Sequence, residues 1–246
     1  MNDEVYEEMY RVESRHWWFG AKHKIVRSLL ARYAPASSTT KPRVIDLGCG
    51  CGYLLSLINN EYDAVGLDGS PQAVEFSRKR GVRVDLGMLP EPVPFDDASA
   101  DVILLLDVLE HLEHDTTCFA RAARLLKPGG IAICTVPAYP WLWTKRDEYH
   151  QHFRRYTRGA FETLMNVEGM KSEFVSHMNA VLFPAAVGER VMRKFVPLKE
   201  GHGDLKVPAA PVNVAFRESY AAERVLLGRV PIPFGLSLVS VSRRTQ

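Results

Sequence analysis

A chain of 246 residues with 46% hydrophobic and 24% charged composition is long enough to bury one sizeable α/β core with decorations, and too short for two full domains. A formal net charge of +2 gives no broad basic field, so the composition argues against nucleic acid as a partner. The acidic start Met1-Asn2-Asp3-Glu4 is no signal peptide and no apolar run approaches the ~20 residues of a membrane span, which together predict a cytoplasmic protein, monomeric or homodimeric.

In chain order, Asp3 to Ala34 reads as an amphipathic helical preface, interrupted by the aromatic cluster His16-Trp17-Trp18-Phe19 and ended by Pro35 and the Ser/Thr run 37–40. Beyond it, 43–47, 62–67, 82–86, 101–106 and 130–135 read as short apolar strands, with helices near 52–60, 71–80 and 115–126. Such alternation predicts an α/β fold with a doubly wound, mostly parallel sheet. A polar helix near 157–168 precedes a strand from Lys171 to His177, and Gly235 to Ser242 alternates as a final strand. Between these strands, 179–233 carries two amphipathic helical patterns around a Gly/Lys/Pro-rich loop, Pro197 to Pro211. Val181, Leu182, Phe183, Val187, Val191, Met192 and Phe195 make the first pattern apolar, beside Arg190, Arg193 and Lys194. That surface suits a second core layer, a cover for substrate, a dimer contact or peripheral contact with a membrane. The expectation is a single domain over 1–246, comprising a preface (1–40), a core (41–178), a helical insertion (179–233) and a last strand (234–246).

The segment Val44 to Gly52 is the most informative. An apolar strand enters a turn with glycines at 48, 50 and 52, where the backbone can bend and approach a ligand without a Cβ in the way. Asp46, two residues before the first glycine, would repel a pyrophosphate but suits a ligand carrying an ammonium and a sulfonium, which points to S-adenosylmethionine. A second short strand ends in Asp68, sixteen residues after Gly52 and near the roughly 20-residue spacing of an acid that accepts ribose hydroxyls. Cys49, Cys51, Cys118 and Cys134 lack zinc-ligand spacing and read as small buried fillers.

From about Arg43 to Thr157 the chain resembles the class I S-adenosylmethionine-dependent methyltransferases, small-molecule type, similar to those of ubiquinone biosynthesis. The residues that carry the resemblance are VIDLGCGCG, VGLDGSP, DVILLLDVLEHL (101–112) and LLKPGGIAICTVP (125–137). The resemblance implies a Rossmann-like sheet whose last strand is antiparallel. It implies that Asp46, Gly48, Cys49, Gly50 and Gly52 hold the methionine end, Asp68 and Gly69 the ribose, and Asp107 and Val108 the methionyl part. Where the family carries an acid for the adenine amino group, this chain has Met88-Leu89, leaving backbone and apolar contact for the adenine. Methyl transfer is a displacement at a carbon already activated by sulfonium, so no metal is demanded.

Two regions offer acceptor chemistry. His111, just past the fourth strand, is placed to act as a base or to pack on the first turn of a helix. The long segment 137–157 leaves the fifth strand with prolines, aromatics, histidines, acids and an arginine pair, and reads as the acceptor wall. Similar small-molecule methyltransferases carry a comparable acid, histidine and Arg-Arg-Tyr-Thr run here. That implies His152 as general base or substrate anchor, with Tyr139, Asp147, Arg154, Arg155 and Tyr156 shaping the pocket. Against this stands a structural role, in which Arg154, Arg155 and Asp147 pin the loop as ion pairs and Thr157 caps the next helix. Trp17 and Trp18 suit a lid over the cofactor, Trp18 reaching the acceptor, or ordinary packing of the preface. The expected activity is methyl transfer to a small molecule, at oxygen rather than nitrogen. A nicotinamide oxidoreductase is disfavoured by Asp46, and a non-catalytic S-adenosylmethionine-binding partner by the polar loop.

Overall fold

The computed structural model describes residues 3–35, 40–192 and 205–245. It opens on α1 (Asp3–Val12) and α2 (Trp17–Tyr33). The aromatic cluster does not interrupt a helix; it begins one. His16 is the N-cap of α2, and its Nδ1 accepts the Trp18 N–H at 3.2 Å, so Trp17, Trp18 and Phe19 form the first turn. There follow β1 (Arg43–Leu47), α3 (Tyr53–Ile58), β2 (Asp63–Asp68), α4 (Pro71–Lys79), β3 (Val84–Leu86), β4 (Ala100–Leu106), α5 (Asp115–Leu125) and β5 (Leu126–Pro137). β5 starts earlier than its apolar run because Leu126 pairs with Ala100 before a register shift brings Ile131 opposite Val102. Next come α6 (Lys145–Tyr149), α7 (Arg158–Met165), β6 (Met170–Met178), α8 (Phe183–Met192), α9 (Ala210–Ala221) and β7 (Ser237–Arg244). Arg193, Lys194, Phe195 and residues 197–204 of the expected loop lie outside the described residues.

The sheet has seven strands in the order β3-β2-β1-β4-β5-β7-β6. β1 to β5 are parallel, and β7 runs antiparallel between β5 and β6. Successive side chains point to opposite faces, which is why the strands read as continuous apolar runs. Val44, Val102, Leu104, Ile131 and Ile133 pack on one face against Ile25 and Leu29 of α2 and Tyr220 of α9. Ile45, Ile103, Leu105 and Cys134 face the other side, against Phe119 of α5 and Phe161 of α7. α1 lies on α4, where Tyr6, Cys51 and Ala73 form a small separate cluster and Tyr10 stacks on Phe76 at 4.4 Å. Cys51, Cys118 and Cys134 are buried and Cys49 half-buried.

The helical insertion divides its labour. α9 is a second core layer: Trp17 meets Phe216 and Tyr220, at 5.7 and 6.4 Å between ring centroids. α8 instead leans over the strand ends, and its Arg190 donates to the Trp143 carbonyl. No helix among the described residues is long and apolar enough to cross a membrane. Strand order reverses between β1 and β4, and the crevice outside the carboxyl ends there is where an open α/β sheet takes its ligand.

Candidate active site

A cavity of about 980 Å³ opens over those strand ends, lined at one end by Asp46, Gly48, Cys49, Gly50, Asp68 and Asp107. The glycine turn is built for close approach. Gly48, Gly50 and Gly52 have φ of 83°, 56° and 73°, and a Cβ on Gly48 would stand 2.5 Å from Val108 Cγ2. Val108 therefore supports the turn from behind, and Gly52 packs against Ser77 and Val82 of the neighbouring layer. Asp68 accepts the Gly50 N–H at 2.8 Å, the Ser70 N–H at 2.9 Å and the Tyr6 hydroxyl at 3.3 Å. Burial raises its pKa, opposed by those donors. A carboxylate has about four acceptor sites, so a ribose competes with Tyr6 for this one. Tyr6 was not legible as a site residue, because its partner lies 62 positions away. Of the expected adenine pair, Leu89 is buried in the core while Met88 is exposed and packs beside Gly69, 3.3 Å from where a Cβ there would stand.

At the methionyl end a lysine joins the two acids. Lys22 Nζ is 2.5 Å from Asp107 Oδ2 and 4.9 Å above the centre of the Trp18 ring, and Thr135 donates to Asp107 Oδ1 at 2.8 Å. Burial alone would raise the Asp107 pKa, but the Lys22 charge and the hydrogen bonds outweigh it and hold the carboxyl low. Asp46 has no such pairing: its Oδ1 is buried without a partner, and burial, countered only in part by Lys22, pushes its pKa up to about 7. An unpaired buried carboxylate beside an apolar and glycine-lined cradle fits a ligand with a cationic tail. The signal for Lys22 was its place four residues after Trp18, on the same face of α2.

The acceptor wall is organised by Asp147, which is 1% exposed. It is the acid of a capping box that starts the short helix α6, accepting the Thr144 N–H at 2.8 Å. Its Oδ1 also bonds His152 Nδ1 at 2.9 Å and Arg155 Nε at 2.8 Å. Burial would raise its pKa, yet the bonds from His152 and Arg155 hold it far below the usual carboxylate range. With Asp147 on Nδ1, Nε2 of His152 is the nitrogen left to the cavity. His111 lies edge-on to His152, 4.6 Å between centroids, and burial followed by the His152 charge lowers its pKa to about 4. Glu110 is buried with Oε2 unpartnered, and burial followed by the Asp107 charge raises its pKa well above normal. One ligand atom each from Glu110, His111 and His152 lie within 4.8 Å of one another, an arrangement able to hold a cation that the sequence pattern did not reveal.

Three expected acceptor residues, Tyr139, Arg154 and Tyr156, are not among those that line the cavity. Arg155 lines the cavity, while Arg154 and Tyr156 make their bonds to Asp115 at the start of α5. Arg154 pairs with Asp115 at 3.0 Å and donates to the Glu113 carbonyl, and the buried Tyr156 donates to Asp115 at 2.7 Å. Both fasten the wall to α5, and Thr157 caps α7 by accepting the Ala160 N–H at 3.2 Å. Tyr139 sits on an aromatic shelf beside the cavity, stacked on His177 at 5.2 Å with Trp141 and Phe183 near it. Trp17 and Trp18 both line the cavity, and Trp17 also makes the ring contacts to α9. Asn179, Leu182 and Arg190 of the insertion complete the lining.

Comparison with known proteins gives this geometry a family. The model of a family described as "Methyltransferase domain" matches residues 18–171, more than half of the chain. A "probable S-adenosylmethionine-dependent methyltransferase" of Mycolicibacterium smegmatis is 34% identical over 125 residues, 50% of this chain and 46% of that protein. The ubiquinone biosynthesis O-methyltransferase of Maricaulis maris is 30% identical over 99 residues, 37% of this chain and 39% of that protein. The chain thus matches less than half the length of these curated relatives. In fold, a protein of Thermotoga maritima described as a SAM-dependent methyltransferase, possible histamine N-methyltransferase, superposes with a TM-score of 0.61 at 18% identity, over 98% of this chain and 95% of that one.

Proposed function

The chain belongs to the methyltransferase-domain family, and from that premise we propose that it transfers the methyl group of S-adenosylmethionine to a hydroxyl oxygen of a small molecule. The observation that carries this reading is the Asp147–His152 pair, set into the same cavity as the glycine turn and Asp46. The bound cofactor supplies a methyl carbon made electrophilic by the adjacent sulfonium. Asp46 and the glycine turn fix the cationic end, and Asp68 fixes the ribose. Asp147 holds the Nδ1 proton of His152, so Nε2 receives the proton that the acceptor hydroxyl gives up, and the buried carboxylate stabilises the imidazolium that forms. Arg155 keeps Asp147 ionised and in place. Trp18 and residues of α8 line the same cavity and limit the water that reaches the transfer step.

Oxygen is favoured because an amine with a free lone pair needs no oriented base, and because the Maricaulis relative is named as an O-methyltransferase. A small acceptor is favoured by the near-neutral charge of the chain and by a cavity sized for the cofactor and one modest ligand. The test is a screen with methyl-labelled S-adenosylmethionine across phenols, sugars, quinones, amines and RNA. Label transferred to a hydroxyl, and lost in His152→Ala, supports the proposal; transfer only to amines or RNA overturns it.

A further inference from the structure

Glu110 and His111 stand side by side on a single 3-10 turn, Leu109–His111, which follows β4 directly. His152 reaches the same point from the acceptor wall, and one nitrogen or oxygen of each residue lies within 4.8 Å of the other two. What converges there is one carboxyl group and two imidazoles, each able to offer a lone pair to the same point. Glu110 is 1% exposed, and its Oε2 finds no hydrogen-bond partner. His152 has committed Nδ1 to Asp147. Among the charges around the group, Asp107 repels the Glu110 carboxylate, Lys22 is spent on Asp107 and Arg155 on Asp147. A buried carboxyl oxygen without a partner gains one when a cation sits between the three side chains.

We infer that Glu110, His111 and His152 bind a divalent first-row metal ion such as Mn²⁺ or Zn²⁺. Two imidazoles and one carboxylate form a mixed nitrogen and oxygen donor set, which suits Zn²⁺ best and Mn²⁺ next, ahead of Mg²⁺ or Ca²⁺, whose sites are oxygen throughout. The Asp147 bond to the far nitrogen of His152 is the support that metal-binding histidines commonly have. Three protein donors leave coordination positions open, and all three residues line the cavity. In purpose the inference rests on the methyltransferase reading. An acceptor hydroxyl on the ion loses its proton to water more readily; its oxygen then forms the bond to the methyl carbon as the carbon–sulfur bond breaks and the electron pair goes to sulfur. His152 in that state holds the ion, and in the metal-free protein it takes the proton itself.

The experiment is a titration of the metal-stripped full chain with Mn²⁺, read by loss of the free-ion paramagnetic resonance signal, alongside Zn²⁺ calorimetry and S-adenosylmethionine calorimetry. The expected result is one site per chain, weakened at least tenfold in Glu110→Gln, in His111→Ala and in His152→Ala, and displaced poorly by Ca²⁺. Thermal unfolding of each variant identifies any that fail to fold, and the stoichiometry of the unmodified chain decides the question without them. Absence of a stoichiometric site, or a site indifferent to the folded variants, overturns the inference while leaving cofactor binding and the proposed reaction standing. A metal site in a chain that binds no S-adenosylmethionine does the reverse.

Discussion

The two ends of the cavity are built by different means. The cofactor end is mostly backbone: three glycines with positive φ, amide groups aimed at Asp68, and acids at the tips of adjacent parallel strands. The acceptor end is mostly side chain, and its members come from the 3-10 turn after β4, the wall after β5 and the insertion near α8. A ligand held by backbone tolerates little change in its own shape, whereas side chains on loops can be exchanged without disturbing the sheet. The cofactor end therefore fixes what the protein uses, and the acceptor end decides what it modifies.

That division predicts that binding and turnover separate. The largest effect is expected for His152→Ala, which should lower turnover at least a hundredfold, within the ~10²–10⁴-fold contribution of a positioned base, while cofactor affinity stays within a factor of about two. Single-turnover rates with calorimetry check it. Equal loss of both would mean that the wall and the glycine turn form one unit. Asp147→Asn, which keeps the shape but loses the charge, should lower turnover by about tenfold or more through the His152 orientation alone.

At the other end, Asp68→Ala should weaken S-adenosylmethionine binding more than tenfold, because it removes the ribose acceptor and also the anchor of the Gly50 and Ser70 amides. Tyr6→Phe sharpens the point. Its hydroxyl competes for the same carboxylate, so affinity should change by no more than a few-fold, and α1 should become more open to proteolysis in the free protein. If cofactor fails to protect the segment around residues 3–16 from cleavage, the preface is a fixed wall and not a lid.

The same contrast explains what could be read from the sequence. The sheet and the glycine turn are encoded by neighbours in the chain, where apolar runs, spacing and φ-permissive residues speak for themselves, whereas the antiparallel sense of the last strand is what the family resemblance implies. Asp46 and Asp68 follow from their places before the glycine turn and at the end of β2, and Asp107 from the family resemblance. Tyr6 and Lys22 were hidden, because their meaning depends on how α1 and α2 dock over those ends. Glu110 was hidden differently: its neighbours Asp107 and His111 drew attention, and only burial without a partner sets it apart. Arg154 and Tyr156 were misplaced because a stretch of polar residues in an irregular segment does not reveal which of them bond to Asp115 and which face the cavity. The capping box at Asp147 had a readable signature, Thr144 followed three residues later by an acid, inside a stretch otherwise read as irregular.

Asp46 supplies the most discriminating test of the cofactor end. Burial places its pKa near 7, above the 3.8 of an ordinary aspartate, so the free protein holds a proton there at pH 6 that an unfolded chain would release. The sign for stability follows: this group costs nothing below about pH 4, and its cost grows as pH rises until it is complete above about pH 7. A sulfonium and an ammonium nearby reverse the preference by favouring the ionised carboxylate, so binding expels the proton and affinity should climb from pH 5.5 to 7.5, by at most tenfold per unit, and then level off. Asp46→Asn has no proton to lose and should bind more weakly above pH 7 with a flatter profile. Calorimetry in buffers of different ionisation enthalpy would count the proton directly. A wild-type affinity independent of pH across that window, or a slope that survives in Asp46→Asn, would show that Asp46 does not meet the charged end of the cofactor and that Lys22 and Asp107 alone arrange it.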